Sequence, residues 1–259
     1  MKNISLLIVA LLSIWLAACE KSEFAPPTES DELTEHLSGL HFDFYYSPTD
    51  RDTIDVLWQE RFYRWVSREL EVETEEKLQY FKYRDRAHIK RMTGRQTSGF
   101  AEVGTYNFHT IWKIDNHECV HTLVTQLIGH PPALFNEGIA VAYQANYFKY
   151  PSFEPDWNGM DFHRLAGEFV RNGTLPDLEE LLGTNSFWNY DPNITYPVSG
   201  SFVRFLIDAH GIQKMKQLIA GSDFLDDRGK IKSDFTGVYA ISIEQAWNEW
   251  MQFIADYQG

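Results

Sequence analysis

Apolar and polar positions recur along this chain in two periods, and the switch between them outlines its elements. Leu40 to Tyr46 (LHFDFYY) alternates with the two-residue rhythm of a strand and is broken by Ser47-Pro48-Thr49-Asp50. From about Thr53 to Leu70, the apolar positions Ile54, Trp58, Phe62, Trp65, Val66 and Leu70 fall at helical spacing. Lys77 to Tyr83 predicts a second strand, and Arg86 to Thr93 a short helix ended by Gly94. Ser98 to Ile114 is a strand region in which Gly99 and Gly104 mark a bend or hairpin, and Thr105 to Ile111 has strong β character.

From Asp115 onward the helical period takes over. Asp115 or Asn116 caps a helix whose Val120, Leu123, Val124, Leu127 and Ile128 keep the three-four rhythm until Gly129 and Pro131-Pro132 stop it. Pro132 then opens a second helix over about Ala133 to Tyr147. After a turn-rich loop from Pro151 to about Asn158, Phe162 to Arg171 predicts a helix closed by Asn172-Gly173, and Leu178 to Leu182 a short one. Phe202, Val203, Leu206 and Ile207 mark the next helix, with Tyr196 just before it and Gly211 at its end. Ile212 to Ala220 and Ile243 to Tyr257, the latter capped by Ser242, are amphipathic helices joined by a charged loop from Gly221 to Gly237. Strands first and helices after predict an α+β chain: a small N-terminal α/β lobe with a mixed sheet (39–130), then a mainly helical C-terminal lobe (131–259).

The amino terminus departs from this pattern. Lys2 and the apolar run Ile4 to Ala18 have the shape of a secretory signal, too short to span a bilayer comfortably. Leu16-Ala17-Ala18-Cys19 resembles the lipobox of bacterial lipoproteins. That resemblance implies that residues 1–18 are removed, that Cys19 carries the lipid, and that the chain is anchored to a membrane of the bacterial cell envelope. Residues 19–38, polar and acidic around Pro26-Pro27, are expected to be a flexible tether without structure. Cys19 and Cys119 are the two cysteines, so acylation of Cys19 rules out an intrachain disulfide, and Cys119 is expected to be a buried, inert thiol. With 259 residues, 44% of them hydrophobic, the chain can bury a sizeable core, and its net charge of −14 argues against a nucleic-acid partner.

The chemistry centres on His117-Glu118-Cys119-Val120-His121. Two histidines four apart on a helix share a face and can grip one ion from adjacent turns, with Glu118 beside that ion, the HExxH pattern of zinc hydrolases. On the following helix, Glu137 lies in an apolar segment, Leu134-Phe135-Asn136-Glu137-Gly138-Ile139, where a lone carboxylate needs a partner, so it is a natural third ligand.

Together, HECVH and LFNEGIA resemble the gluzincin metallopeptidases, which include zinc aminopeptidases with a WLNEGFA-like second segment. Fifteen residues separate His121 from Glu137, a gap shorter than in those aminopeptidases and closer to the compact peptidase-MA-like members. The resemblance implies a zincin-like fold, one Zn2+ per chain held by His117, His121 and Glu137, and Glu118 as general base and acid acting on a peptide or protein substrate. It also implies Tyr196 as the oxyanion donor, because Tyr196 precedes a Ser199-Gly200-Ser201 stretch and an apolar helix much as a tyrosine does in the aminopeptidases; Tyr143 and His210 are weaker substitutes. Glu102, in Gly99-Phe100-Ala101-Glu102-Val103, shares part of the aminopeptidase amine-recognition segment, but the asparagine is missing, so exopeptidase action is not implied. The strand before the metal helix could wall a cleft and pair with an extended peptide at its edge. His88 is expected at the surface, His109 as an ordinary strand histidine, and His163 as solvent-facing or capping. A lipid-anchored binding or assembly protein with a non-catalytic metal site is the rival reading; a structural site needs no general base, and Glu118 speaks against it.

Overall fold

The computed structural model describes residues 32–50, 54–144 and 156–257. Cys19, the signal segment, most of the tether, the expected end of the second helix at Tyr147 and residues 151–155 of the loop that follows lie outside the described residues. The protein is α+β, with a small mixed sheet and a majority of helices. Its strands are β1 (Glu35–Ser38), β2 (Phe42–Tyr46), β3 (Leu78–Lys82), β4 (Gly99–Ala101) and β5 (Asn107–Thr110), in the spatial order β1-β2-β3-β5-β4. β2, β3 and β5 run parallel, while β1 and β4 pair antiparallel at the two edges.

Alternation along the strands gives the sheet two unlike faces. Phe42, Phe44, Leu78, Tyr80 and Phe108 are fully buried, in one cluster with Phe62 and Val66 of α1 (Val56–Glu69) and Val120 and Leu123 of the HECVH helix. On the other face, His36, Tyr45, Phe81, His109 and Phe100 are direct cross-strand partners and form a continuous row of rings across all five strands. Successive centroids in that row lie 4.9, 5.0, 4.8 and 4.5 Å apart.

α2 (Arg86–Thr93) follows β3 and ends on Gly94, whose φ of 77° places it in the left-handed conformation that glycine adopts without strain. α3 (Asn116–Leu127) and α4 (Ala133–Tyr143) carry the two ligand motifs. Beyond them come α5 (Phe162–Arg171), α6 (Leu178–Leu182), α7 (Thr184–Phe187), α8 (Pro192–His210), α9 (Ile212–Gly221), α10 (Arg228–Tyr239) and α11 (Ile243–Asp256). No helix among the described residues is long and apolar enough to cross a membrane.

Beside the single-turn α7, which the sequence did not suggest, three elements differ from the sequence expectation. The tether was to reach Ser38, but Glu35–Ser38 forms β1. All four residues are exposed, so no apolar pattern announces the strand; backbone pairing, the His36–Tyr45 stack and a 2.6 Å hydrogen bond from Ser38 to Asp43 hold it. Much of the expected loop Gly221–Gly237 is α10, capped by Asp227 and anchored by Ile231, Phe235 and Tyr239 on one face. Gly229, Gly237 and the charges between them dilute its helical signal. α8 begins ten residues before Phe202, so Tyr196 lies within the helix rather than ahead of it.

The crossing of α4 and α8 is set by glycines. A Cβ on Gly138 would stand 2.5 Å from Val203 Cγ2 and 2.8 Å from the Ser199 carbonyl oxygen, and one on Gly200 would collide with Val141. Without side chains at these two positions the helices approach closely, and Glu137 on one and Tyr196 on the other come to the same cleft.

Candidate metal centre

α3 is clamped at its start. Asp115 accepts the Glu118 backbone N–H at 3.0 Å, and the buried Gln59 of α1 accepts the Asp115 N–H at 3.2 Å. The cap fixes the first turn of α3 and with it the direction of His117.

His117 and His121 meet with their Nε2 atoms 3.0 Å apart, and each Nε2 lies 3.3 Å from Glu137 Oε2. His121 and Glu137 are buried and His117 is half-buried. The three residues form a group that could hold a metal ion. Their chemistry demands a positive charge in the middle. Two ring nitrogens and a carboxylate oxygen all carry lone pairs, and in a dry setting these repel unless a proton or a cation sits among them. Burial alone would lower the His117 imidazole, but the hydrogen bond to Glu137 and the charges of Glu118 and Glu137 outweigh it and lift it to about 9. Burial works to raise Glu137, and the His121 charge with the hydrogen bonds from both histidines holds it far below the usual carboxylate range instead.

His117 is held from behind. Its Nδ1 lies 2.8 Å from Gln144 Oε1, while Gln144 Nε2 donates to the Asp156 carbonyl at 2.7 Å. The amide oxygen therefore takes the Nδ1–H and leaves the Nε2 lone pair facing the other ligands. Gln144 was not singled out in the sequence. Its signal was available: it stands seven residues after Glu137, two turns further along the same helical face.

Glu118 opens onto the cleft between β4 and α3. Burial, followed by the charge of Asp115, pushes its carboxyl above the usual range. Gly99 makes room for it, since a Cβ there would lie 3.1 Å from Glu118 Oε1 and 3.1 Å from Asp115 Oδ2. Tyr196 stacks on His117 with ring centroids 5.7 Å apart and touches Trp157 at 5.2 Å. Burial and the charges of Glu137 and Glu118 raise its phenol far above the ordinary value, so it remains a hydrogen-bond donor.

Two cavities, of about 310 and 570 Å³, share Gly99, His117, Glu118 and Tyr196. Of the strands, β4 is the outer one at this side of the sheet; β5, the strand directly before α3, is paired on both sides.

The remaining candidates fall elsewhere. Glu102 turns to Asn107 at 2.9 Å and His109 at 3.0 Å, so it points along the hairpin rather than to the ligands. His109 also bonds Tyr83 at 2.8 Å, as an ordinary strand histidine does. His88 is a correction: expected at the surface, it is fully buried, accepts the Arg84 N–H at 3.2 Å and sits edge-on to Tyr83. His163 is another: instead of facing solvent it is buried beside α11, 2.8 Å from Ser201 Oγ. Tyr143 packs against Trp65, and His210 against Tyr239, away from the ligands. Cys119 is buried, and that burial pushes its thiol far up.

No protein-family model matches this sequence, and no curated protein matches it.

Proposed function

We propose that this protein is a zinc-dependent metallopeptidase of the gluzincin type, with a zincin-like fold, working at the bacterial cell envelope from a lipid on Cys19. The observation that carries the reading is the convergence of two histidine nitrogens and a carboxylate oxygen, 3.0 to 3.3 Å apart, with a carboxylate and a phenol beside them that ligation leaves uncommitted. The spacing suits zinc: tetrahedral ligand atoms bound at about 2.0–2.1 Å stand about 3.3–3.4 Å from one another. Two nitrogens and one oxygen leave a fourth position, which a structural site would fill with a further side chain.

When bound, zinc supplies Lewis acidity to the attacking water and to the carbonyl under attack. Everything else belongs to the chain. Glu118 takes the water's proton and passes it to the leaving nitrogen; its raised affinity for protons suits it to both steps. Tyr196 stays protonated and donates a hydrogen bond to the oxyanion as the carbonyl becomes tetrahedral. Gln144 holds His117 in the tautomer that ligates through Nε2. β4, as the outer strand, offers backbone groups at Ala101 for an extended peptide to pair with.

The test is metal content and peptide turnover in the full-length protein and its Glu118→Gln variant. One zinc per chain in both, with turnover only in the wild type, is the expected result. Equal absence of turnover in both, across a broad peptide library, would refute the enzyme reading; absence of metal in both would refute the site.

A further inference from the structure

We infer that the substrate carries side-chain carboxylates on both sides of the bond brought to the metal centre, an inference that rests on the peptidase reading and names its substrate class. The two cavities adjoin at Gly99, His117, Glu118 and Tyr196 and extend from there as two arms of a trench, the smaller lined further by His121 and Glu137 and the larger by Asp115 and Gln144. Each arm holds one arginine: Arg95 in the smaller, Arg86 in the larger. The Arg95 guanidinium lies 4.3 Å over the centroid of Phe100, and Arg86 Nε donates to Ser98 Oγ at 2.7 Å. Both heads are therefore oriented, and neither has a carboxylate partner among the described residues.

This is out of character for a chain with 37 acidic and 23 basic residues. Among the described residues, the carboxylates lining the two cavities are Glu118, common to both, Glu137 in the smaller and Asp115 in the larger, and all three belong to the ligand group or to the cap and first turn of α3. A guanidinium is a planar fork of donors that matches a carboxylate, and stacking on a ring or bonding through Nε leaves part of that fork available. Each arm also carries an exposed tryptophan, Trp188 (45%) with Arg95 and Trp112 (54%) with Arg86, which offers an apolar face to the stem of a bound acidic side chain. The net charge of −14 repels an acidic peptide at a distance, but at physiological ionic strength that repulsion is screened beyond about 8 Å, and the arginines act at contact range.

A free C-terminal carboxylate has the same chemistry, so the probes are C-terminally amidated. They are fluorescent peptides with glutamates on the amino side, the carboxyl side or both sides of a central apolar pair, each matched by a glutamine version. Binding to zinc-loaded, full-length Glu118→Gln is followed by anisotropy, and cleavage of the same peptides by the wild type. The doubly acidic peptide is expected to bind at least about tenfold more tightly than its glutamine match, the scale of one charge-assisted hydrogen bond. Arg86→Glu and Arg95→Glu, made in the Glu118→Gln background, should each abolish the preference on one side only, and the two sides should differ. Equal binding of acidic and glutamine peptides, or preferences unchanged in both reversals, would overturn the inference. Charge-selective binding without cleavage by the wild type would sink the peptidase reading and leave carboxylate recognition standing. Cleavage indifferent to charge would do the opposite, and neither binding nor cleavage would sink both.

Discussion

Replacing Gln144 with leucine removes the acceptor that orients His117 while leaving every proposed metal ligand in place. The amide oxygen is 2.8 Å from His117 Nδ1 and is itself positioned by the 2.7 Å bond from Gln144 to the Asp156 carbonyl. Without it, His117 is steadied by the Tyr196 ring at 5.7 Å and the His121 ring at 4.6 Å, contacts that do not choose between its tautomers. Loss of such an outer partner typically lowers metal affinity about 10- to 100-fold, or about 1.4 to 2.7 kcal/mol. The bond to Asp156 is a neutral one and contributes about 1 kcal/mol to the fold, so the metal-free variant should melt only slightly below wild type. The assay is zinc competition against a chromophoric chelator at fixed pH. Gln144→Glu keeps an acceptor for Nδ1–H but loses the donor to the Asp156 carbonyl, so its affinity should fall between those of the leucine variant and wild type. A leucine variant with wild-type affinity would show that Gln144 does not orient the ligand.

Three further outcomes follow from the same geometry. Tyr196→Phe should keep its zinc and lose about a hundredfold to a thousandfold in kcat with little change in KM, measured on any peptide the wild type cleaves. Gly138→Ala should cost about 1–3 kcal/mol in denaturant unfolding and reduce bound zinc, because its methyl group meets Val203 at 2.5 Å and the Ser199 carbonyl at 2.8 Å on the face that presents Glu137. Stability should fall between pH 6.5 and 4 on account of His163, which burial holds neutral and lowers from 6.5 to about 4. The unfolded chain binds that proton first, so the stabilisation is complete above pH 6.5 and is lost on acidification, by up to about 3 kcal/mol at about 1.4 kcal/mol per tenfold change in proton affinity. Unfolding midpoints at pH 7 and pH 4.5 check this, and His163→Gln should flatten the difference.

What could be read in the sequence alone was local. A helix repeats every 3.6 residues and a strand every two, so any element that buries one face writes its period into the chain; α2, α5 and α6 were placed to the residue, and β2, β3 and α11 nearly so. The HExxH pair is legible for the same reason, since residues four apart on a helix share a face whatever the rest of the fold does. β1 and α10 were not legible, the first because it buries no side chain and the second because glycines and charges interrupt its stripe. Tertiary structure alone decided which distant residues meet. Gly138 and Gly200 let α4 and α8 close on each other, Gly99 lets the outer strand reach Glu118, and Gln144 comes round the helix to His117. The same packing put His88 and His163 inside, where polar spacing suggested the surface. A period in the sequence says that a face is buried, but what it is buried against depends on the distances between helices, and here the absence of a few side chains sets those distances.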